Sequence, residues 1–233
     1  MLMIFKYVRF YSEYVVFKVK ALKIGINATY SLYPQLDDKS ETTSFDRHYI
    51  YHTAWAARKL AIIKPSIHTD ISSILYFPVI ISAFIKVRYY DFRSADIKLG
   101  NFESLKADLT SLDFKTNSLQ SVSCMHVIEH IGLGRYGDTI DPQGDITAMS
   151  ELTRVVKKGG SLIIVVPIGK PKVVFNAHRI YSPQQILTYF KSLKLKEFAL
   201  IPDDVRDGNI VVNPTKKLLD KQNYACGCFW FTK

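Results

Sequence analysis

His126, Glu129 and His130 stand in the order H-x-x-E-H. Inside a helix, two imidazoles at that spacing share one face and can grip zinc while the carboxylate activates water. The flanking residues exclude that arrangement. "SVSCM" before the motif favours a strand, and Gly132, Gly134 and Gly137 after it each disfavour a continuing helix by ~1 kcal/mol. No third ligand follows on a neighbouring helix, and Cys226-Gly-Cys228 is too short and isolated to form a zinc site of its own. Metal hydrolysis is therefore set aside, and no metal ligand is assigned. The three residues are expected where a strand ends and a loop begins, the edge at which open α/β sheets bind ligands.

A second set of residues carries a different chemistry. Asp70 is expected to end a first strand, "SIHTDI", and Asp91 a second, "IKVRYYDF", 21 residues later. That matches the ~20-residue distance between a nucleotide-binding first turn and the acid that accepts hydrogen bonds from a ribose diol. Asp108, in "KADLTSLDF", falls where a third loop would meet an adenine edge and its exocyclic amine. Three carboxylates at successive loops favour a nucleoside site over isolated turn residues.

The elements that must position these groups alternate along the chain. "LYFPVIISAF" follows the first strand as helix or loop, and "NFESLKADLTSLDF" follows the second as a turn. "SLQSVSCMHVI" reads as a third strand and "ITAMSELTRVVKKGG" as a helix closed by Lys157, Lys158 and Gly159. "SLIIVVP" is an apolar run suited to a buried parallel strand. "SPQQILTYFKSL" is a helix with Ser182 as N-cap and Pro183 at its first position, and "LKEFALI" is a last strand. This alternation predicts a parallel sheet covered on both faces.

"FKTNSLQSVSCMHVIEHI" and "ELTRVVKKGGSLIIVVP" resemble segments of the class I S-adenosylmethionine-dependent methyltransferases, over roughly residues 65–200. "FDRHYIYHTAWAARKL", "HVIEHIGLGRYGDTIDPQGD" and "FNAHRIYSPQQIL" are similar to the domain-of-unknown-function 268 family, first noted in Caenorhabditis, over residues 45–204. The resemblance implies a Rossmann-like parallel-sheet sandwich of the class I methyltransferase type with an N-terminal helical extension, and S-adenosyl-L-methionine as cofactor. It places Asp70, Ser72, Ser73, Asp91, Asp108 and Leu109 around that cofactor. The chain departs from the superfamily at the first turn, Asp70-Ile71-Ser72-Ser73-Ile74, which has no glycine where the pattern is D-x-G-x-G. Weakened or altered cofactor binding is the expected consequence.

Methyl transfer requires positioning and desolvation, and an oxygen acceptor also gains from a general base. His126, His130 and His178 are the candidate bases, with Glu129 to orient a histidine or hold the acceptor. The loop "IGLGRYGDTIDPQGD" supplies Arg135, Tyr136 and Asp138 for a polar or anionic acceptor, and "FNAHR" supplies Asn176 and Arg179 from the other side. The expected reaction is methyl transfer to an oxygen or nitrogen of a small polar acceptor, a sugar of a surface polysaccharide being one candidate. Two rivals stay open: a non-catalytic protein of the same fold that binds a nucleoside or a partner, and an RNA methyltransferase.

The net charge of +10 permits contact with nucleic acid, anionic lipid or an acidic substrate. The strand end reads "HVIEH" rather than the [DNS]-P-P-[YF] of base-amine methylation, so no specific nucleic acid is expected. Residues 1–33 are expected to hold a basic amphipathic helix, with Lys6, Arg9, Glu13, Lys20 and Lys23 on one face and Lys18 off it. Residues 1–24 could then lie on an anionic membrane, pack on the domain or make a homodimer. Residues 34–64 read as a polar linker and a helix on the core that Pro65 ends, and residues 65–233 as the Rossmann-like domain. Few cysteines, odd in number, make a reduced cytoplasmic setting the default, peripheral on a membrane's inner face if the helix binds lipid.

Overall fold

The computed structural model describes residues 2–233. It comprises two compact units, one ending at Phe45 and the other running Asp46–Lys233. The first unit is built on helix α1 (Leu2–Lys23); residue 1, which the sequence reading included in that helix, lies outside the described residues. Tyr14 and Phe17 of α1 meet Tyr30 edge-on. Lys6 pairs with Asp37 and Glu13 with Lys39, so part of the basic face is taken up within the unit. No helix among the described residues is long and apolar enough to cross a membrane.

The second unit is a mostly parallel sheet between two helical layers. Its strands are β1 (Ile67–Ser72), β2 (Lys86–Asp91), β3 (Phe102–Lys106), β4 (Leu119–Met125) and β5 (Val156–Ile168), then β8 (Lys194–Ile201), β9 (Val211–Val212) and β10 (Ala225–Thr232). They lie in the order β3-β2-β1-β4-β5-β10-β8-β9. The first five are parallel, as the alternation of apolar runs and helices predicts. The remaining three pair antiparallel, so the sheet is mixed but mostly parallel, in keeping with the expected class I methyltransferase type. β5 is buried from Gly160 to Ile168, consistent with its unbroken apolar run. Strands β6 (Lys172–Val174) and β7 (His178–Ile180) form a separate hairpin.

Side chains alternate across the sheet and feed two cores. On one face, Cys124, Leu162, Ile164 and Val166 pack with Leu152 of α4 (Gly144–Val155) and Ile186 of α5 (Pro183–Tyr189). On the other, Met125, Ile163 and Val165 pack with Trp55 and Leu60 of α2 (Arg47–Ile63) and Phe77 of α3 (Tyr76–Ile81). Cys124 is a core residue. Glu197 anchors α2 through the Trp55 indole at 2.7 Å and the Lys59 ammonium at 2.6 Å. The α5 start has the expected Ser182 cap, completed by Gln185 into a capping box. A last short helix, α6 (Lys216–Leu219), precedes β10.

Several boundaries differ from expectation for local reasons. "FESLK" is a strand rather than a turn, because β3 finds the open edge of β2. β1 runs two residues past Asp70 to Ser72. Lys157, Lys158 and Gly159 open β5 instead of closing the preceding helix. Gly159, at φ +72°, sits where the register with β4 shifts and gives its amide to the Lys233 carbonyl.

Candidate functional site

The carboxyl ends of β1, β2, β3 and β4 open into a cavity of about 500 Å³, within the size range of small-ligand sites. Ile71, Ser72 and Ser73 line it after β1, Asp91 to Arg93 after β2, and Ala107 to Thr110 after β3. His126, Val127 and His130 follow β4, and Gly132 and residues 136–139 belong to the next loop. The sequence-selected residues Ser72, Ser73, Asp91, Asp108, Leu109, His126, His130, Tyr136 and Asp138 thus share one wall system.

Asp70 is not part of that wall. It is fully buried, and its Oδ1 accepts from Ser72 Oγ at 2.7 Å and from Ser123 Oγ. Desolvation raises its pKa to about 7, against the opposing pull of the two hydroxyls. Ser72 therefore turns its hydroxyl into the core, and its φ is not in the left-handed region. The backbone strain that a left-handed glycine position would impose on a serine does not arise. The Tyr89 hydroxyl stands 3.0 Å from both the Ser72 carbonyl and Asp91 Oδ2, tying the first two loops together. Asp91 Oδ1 accepts from the Arg93 amide at 2.7 Å. Asp108 Oδ1 accepts from the amide and hydroxyl of Thr110, so this carboxylate also builds its own turn.

β4 ends sharply. His126 keeps a ladder bond from its amide to the Val165 carbonyl at 2.9 Å but has φ +55°. A non-glycine residue held there is strained, and such strain concentrates at sites where a side chain must point in a particular direction. The "IEH" that follows is a single 3-10 turn (Ile128–His130), not a helix carrying two histidines on one face. Glu129, only 1% exposed, bonds His126 Nδ1 through Oε1 at 2.8 Å. His130 diverges: its Nδ1 lies 2.6 Å from the Ala177 carbonyl and so carries the hydrogen, which leaves Nε2 to accept in the neutral ring.

The loop after this turn is held by Asp138. Its Oδ2 accepts from the amides of Gly132 and Gly134, and its Oδ1 from that of Tyr136. Burial pushes the Asp138 carboxyl up, but these amides outweigh it and leave the group below its ordinary value. The guanidinium groups of Arg93 and Arg135 stand 5.0 and 5.1 Å from the Tyr136 ring centre. Arg135 also donates to the Ala177 carbonyl at 3.0 Å.

Three expected acceptor contacts lie elsewhere. Arg179 is buried, donates to the Ile131 and Pro142 carbonyls and pairs with Asp145, which also accepts from Tyr181; it braces the loop from behind. Asn176 is exposed at the tip of the β6–β7 hairpin. His178, half-buried, faces the Tyr224 ring at 5.0 Å instead of lining the cavity, and burial lowers its pKa.

Sequence reasoning missed the contribution of α2. Asp46 caps this helix, and its first turns bring His48, Tyr49 and His52 against His126, with ring centres 6.2, 5.4 and 5.0 Å away. Tyr49 Oη also stands 3.5 Å from Ser73 Oγ. His52 donates through Nδ1 to the His48 carbonyl, and burial lowers its pKa to about 3. The signal was present in "HYIYH", which places three of these rings at helical spacing. Cys226, on β10, reaches 3.6 Å from His126 Nε2. Donor atoms of His48, His126 and Cys226 all lie within 4.8 Å of one another, contrary to the expectation of no metal-ligand cluster.

This sheet order, with the cavity at the carboxyl edge of its parallel half, is the Rossmann-like fold of the class I methyltransferases. Geranyl diphosphate methyltransferase, solved in complex with SAM, aligns over 79% of this chain and 86% of its own at a TM-score of 0.55 and 12% identity. A candidate sarcosine dimethylglycine methyltransferase from Galdieria sulphuraria covers 79% and 86% at a TM-score of 0.53 and 11% identity. The [4+2]-cyclase SpnF covers 84% and 85% at 0.56 and 10%. At these identities the likeness establishes the fold. Within the chain, residues 94–197 match the family model described as "Caenorhabditis protein of unknown function, DUF268". No curated protein matches the sequence.

Proposed function

We propose that the protein is an S-adenosylmethionine-dependent methyltransferase acting on an oxygen or nitrogen of a small polar acceptor, a saccharide of a surface polymer being one candidate. The observation that carries this reading is one cavity uniting Asp91 and Asp108 with His126 and His130. The donor set fits the cofactor: Asp91 at the end of β2 to accept from a ribose diol, Asp108 to accept from an adenine amine, and buried Leu109 as an apolar wall. When bound, S-adenosylmethionine supplies an electrophilic methyl group. His130 Nε2 is available to take a proton from an acceptor hydroxyl, while the Ala177 carbonyl fixes its ring. Arg93 and Arg135, both beside the Tyr136 ring, offer two cations to a sugar bearing a carboxylate or phosphate.

Calorimetric titration with S-adenosylhomocysteine tests the cofactor half. Binding is expected, with Asp91→Asn weakening it by about tenfold or more, as for loss of a charge-assisted hydrogen-bond acceptor. No binding at millimolar ligand would remove the enzyme reading. The second reading, a non-methylating protein of the same fold, is favoured by the glycine-free turn, and the likeness to a cyclase shows that this fold is not confined to proteins named methyltransferases. Cofactor binding without transfer of labelled methyl to any saccharide pool would select it. For residues 1–24, exposed apolar side chains such as Phe5, Val8 and Phe17 support peripheral membrane contact, with self-association as the other outcome of the same test.

A further inference from the structure

We propose that His48, His126 and Cys226 form a binding site for a thiophilic divalent cation, zinc by its donor chemistry, beside the cavity. The donors come from three separate elements: the first turn of α2, the end of β4 and the start of β10. Zinc–nitrogen bonds of roughly 2.0–2.1 Å and zinc–sulfur bonds of roughly 2.3 Å place tetrahedral donors about 3.3–3.8 Å apart. Cys226 Sγ and His126 Nε2 already stand at 3.6 Å. All three donors fall within 4.8 Å, so small rotations of the half-buried His48 ring complete the set.

Three features of the His126–Glu129 pair point the same way. His126 Nδ1 is bound to Glu129, which leaves Nε2 directed at Cys226. A carboxylate on the far nitrogen is how metal-bound histidines are oriented and made more basic. Glu129 is itself buried with no partner on Oε2, and a buried carboxylate left so is costly without a nearby cation. His126 accepts a strained φ of +55° to hold its ring in this place. Two nitrogens and a sulfur suit zinc over magnesium or calcium, which prefer oxygen. Binding converts the buried Cys226 thiol to a metal thiolate and releases its proton to solvent. Three protein ligands leave a fourth position for water or an acceptor oxygen. The site stands whether or not the chain transfers methyl groups.

The test uses the full chain, stripped with chelator and titrated with zinc alone against a chromophoric competitor, then loaded with cobalt for absorption spectroscopy. One ion per chain is expected, with a thiolate-to-cobalt charge-transfer band and the visible bands of a tetrahedral ion. Cys226→Ser should abolish the charge-transfer band. Because Cys226 lies on a central strand, His48→Gln on the helix surface is the second variant, each checked for an unchanged thermal melt. Glu129→Gln should weaken affinity by roughly tenfold to a hundredfold. Failure to take up cobalt at micromolar concentration overturns the assignment. So does uptake without the thiolate band, or uptake indifferent to His48→Gln.

Discussion

Asp70 shows how a residue chosen for binding can act from within the core. It closes a buried chain in which the Ser123 hydroxyl donates a hydrogen bond to Asp70. The Ser123 oxygen, 2.8 Å from His68 Nε2, must then accept from that nitrogen, so His68 Nδ1 accepts from Ser121 at 2.8 Å. Burial lowers the His68 pKa to about 3, consistent with this neutral ring. Asp70 has no partner on Oδ2, and its pKa of about 7 lies above the unfolded value near 3.9. Between about pH 4 and about pH 7 the folded state keeps a proton that the unfolded state has lost. Its stabilising contribution is thus complete below that window and lost as pH rises through it. Asp70→Asn, neutral throughout, should remove an effect on the order of 4 kcal/mol from the difference between urea-unfolding free energies at the two ends. Identical pH profiles for the variant and the native protein would refute the assignment.

At the scale of elements, the loop after β4 was legible in composition but not in architecture. Its glycines and acids marked an ordered segment at the sheet edge, yet only the structure shows that Asp138 gathers three amides while Arg179 braces the rear. Gly132 is the tightest point: φ is +78°, and a Cβ would lie 2.0 Å from the Asp141 carbonyl oxygen. Gly132→Ala should cost on the order of 1–3 kcal/mol in this loop. Hydrogen exchange should then quicken across residues 131–141 while β5 amides stay protected; uniform protection in the variant would contradict the strain argument. The same distinction explains the missed rings. Loops and strand ends could be read from local pattern, whereas His48, Tyr49 and His52 meet His126 only once α2 docks on the sheet through its core residues and Glu197.

For the whole molecule, the parallel half was legible because each strand there is an apolar run bounded by turn residues and followed by a helix. The antiparallel half was not, since "ACGCFWFT" carries no alternation and its place between β5 and β8 depends on pairing distant in sequence. Charge is the other property of the whole chain. In the first unit, Lys6 and Lys39 have acidic partners, while Arg9, Lys20 and Lys23 have no ion pair among the described residues. These cations, with exposed Leu2, Ile4, Phe5, Val8 and Phe17, give the unit both terms of interfacial binding: apolar insertion and attraction to anionic lipid. The full chain should sediment with phosphatidylserine-containing vesicles and not with phosphatidylcholine ones. Binding should weaken between low salt and ~0.15 M as the electrostatic term is screened, and Phe5→Ser with Phe17→Ser should reduce it at both salts by removing the apolar term. A chain that ignores anionic vesicles and sediments as a dimer would assign these exposed side chains to self-association.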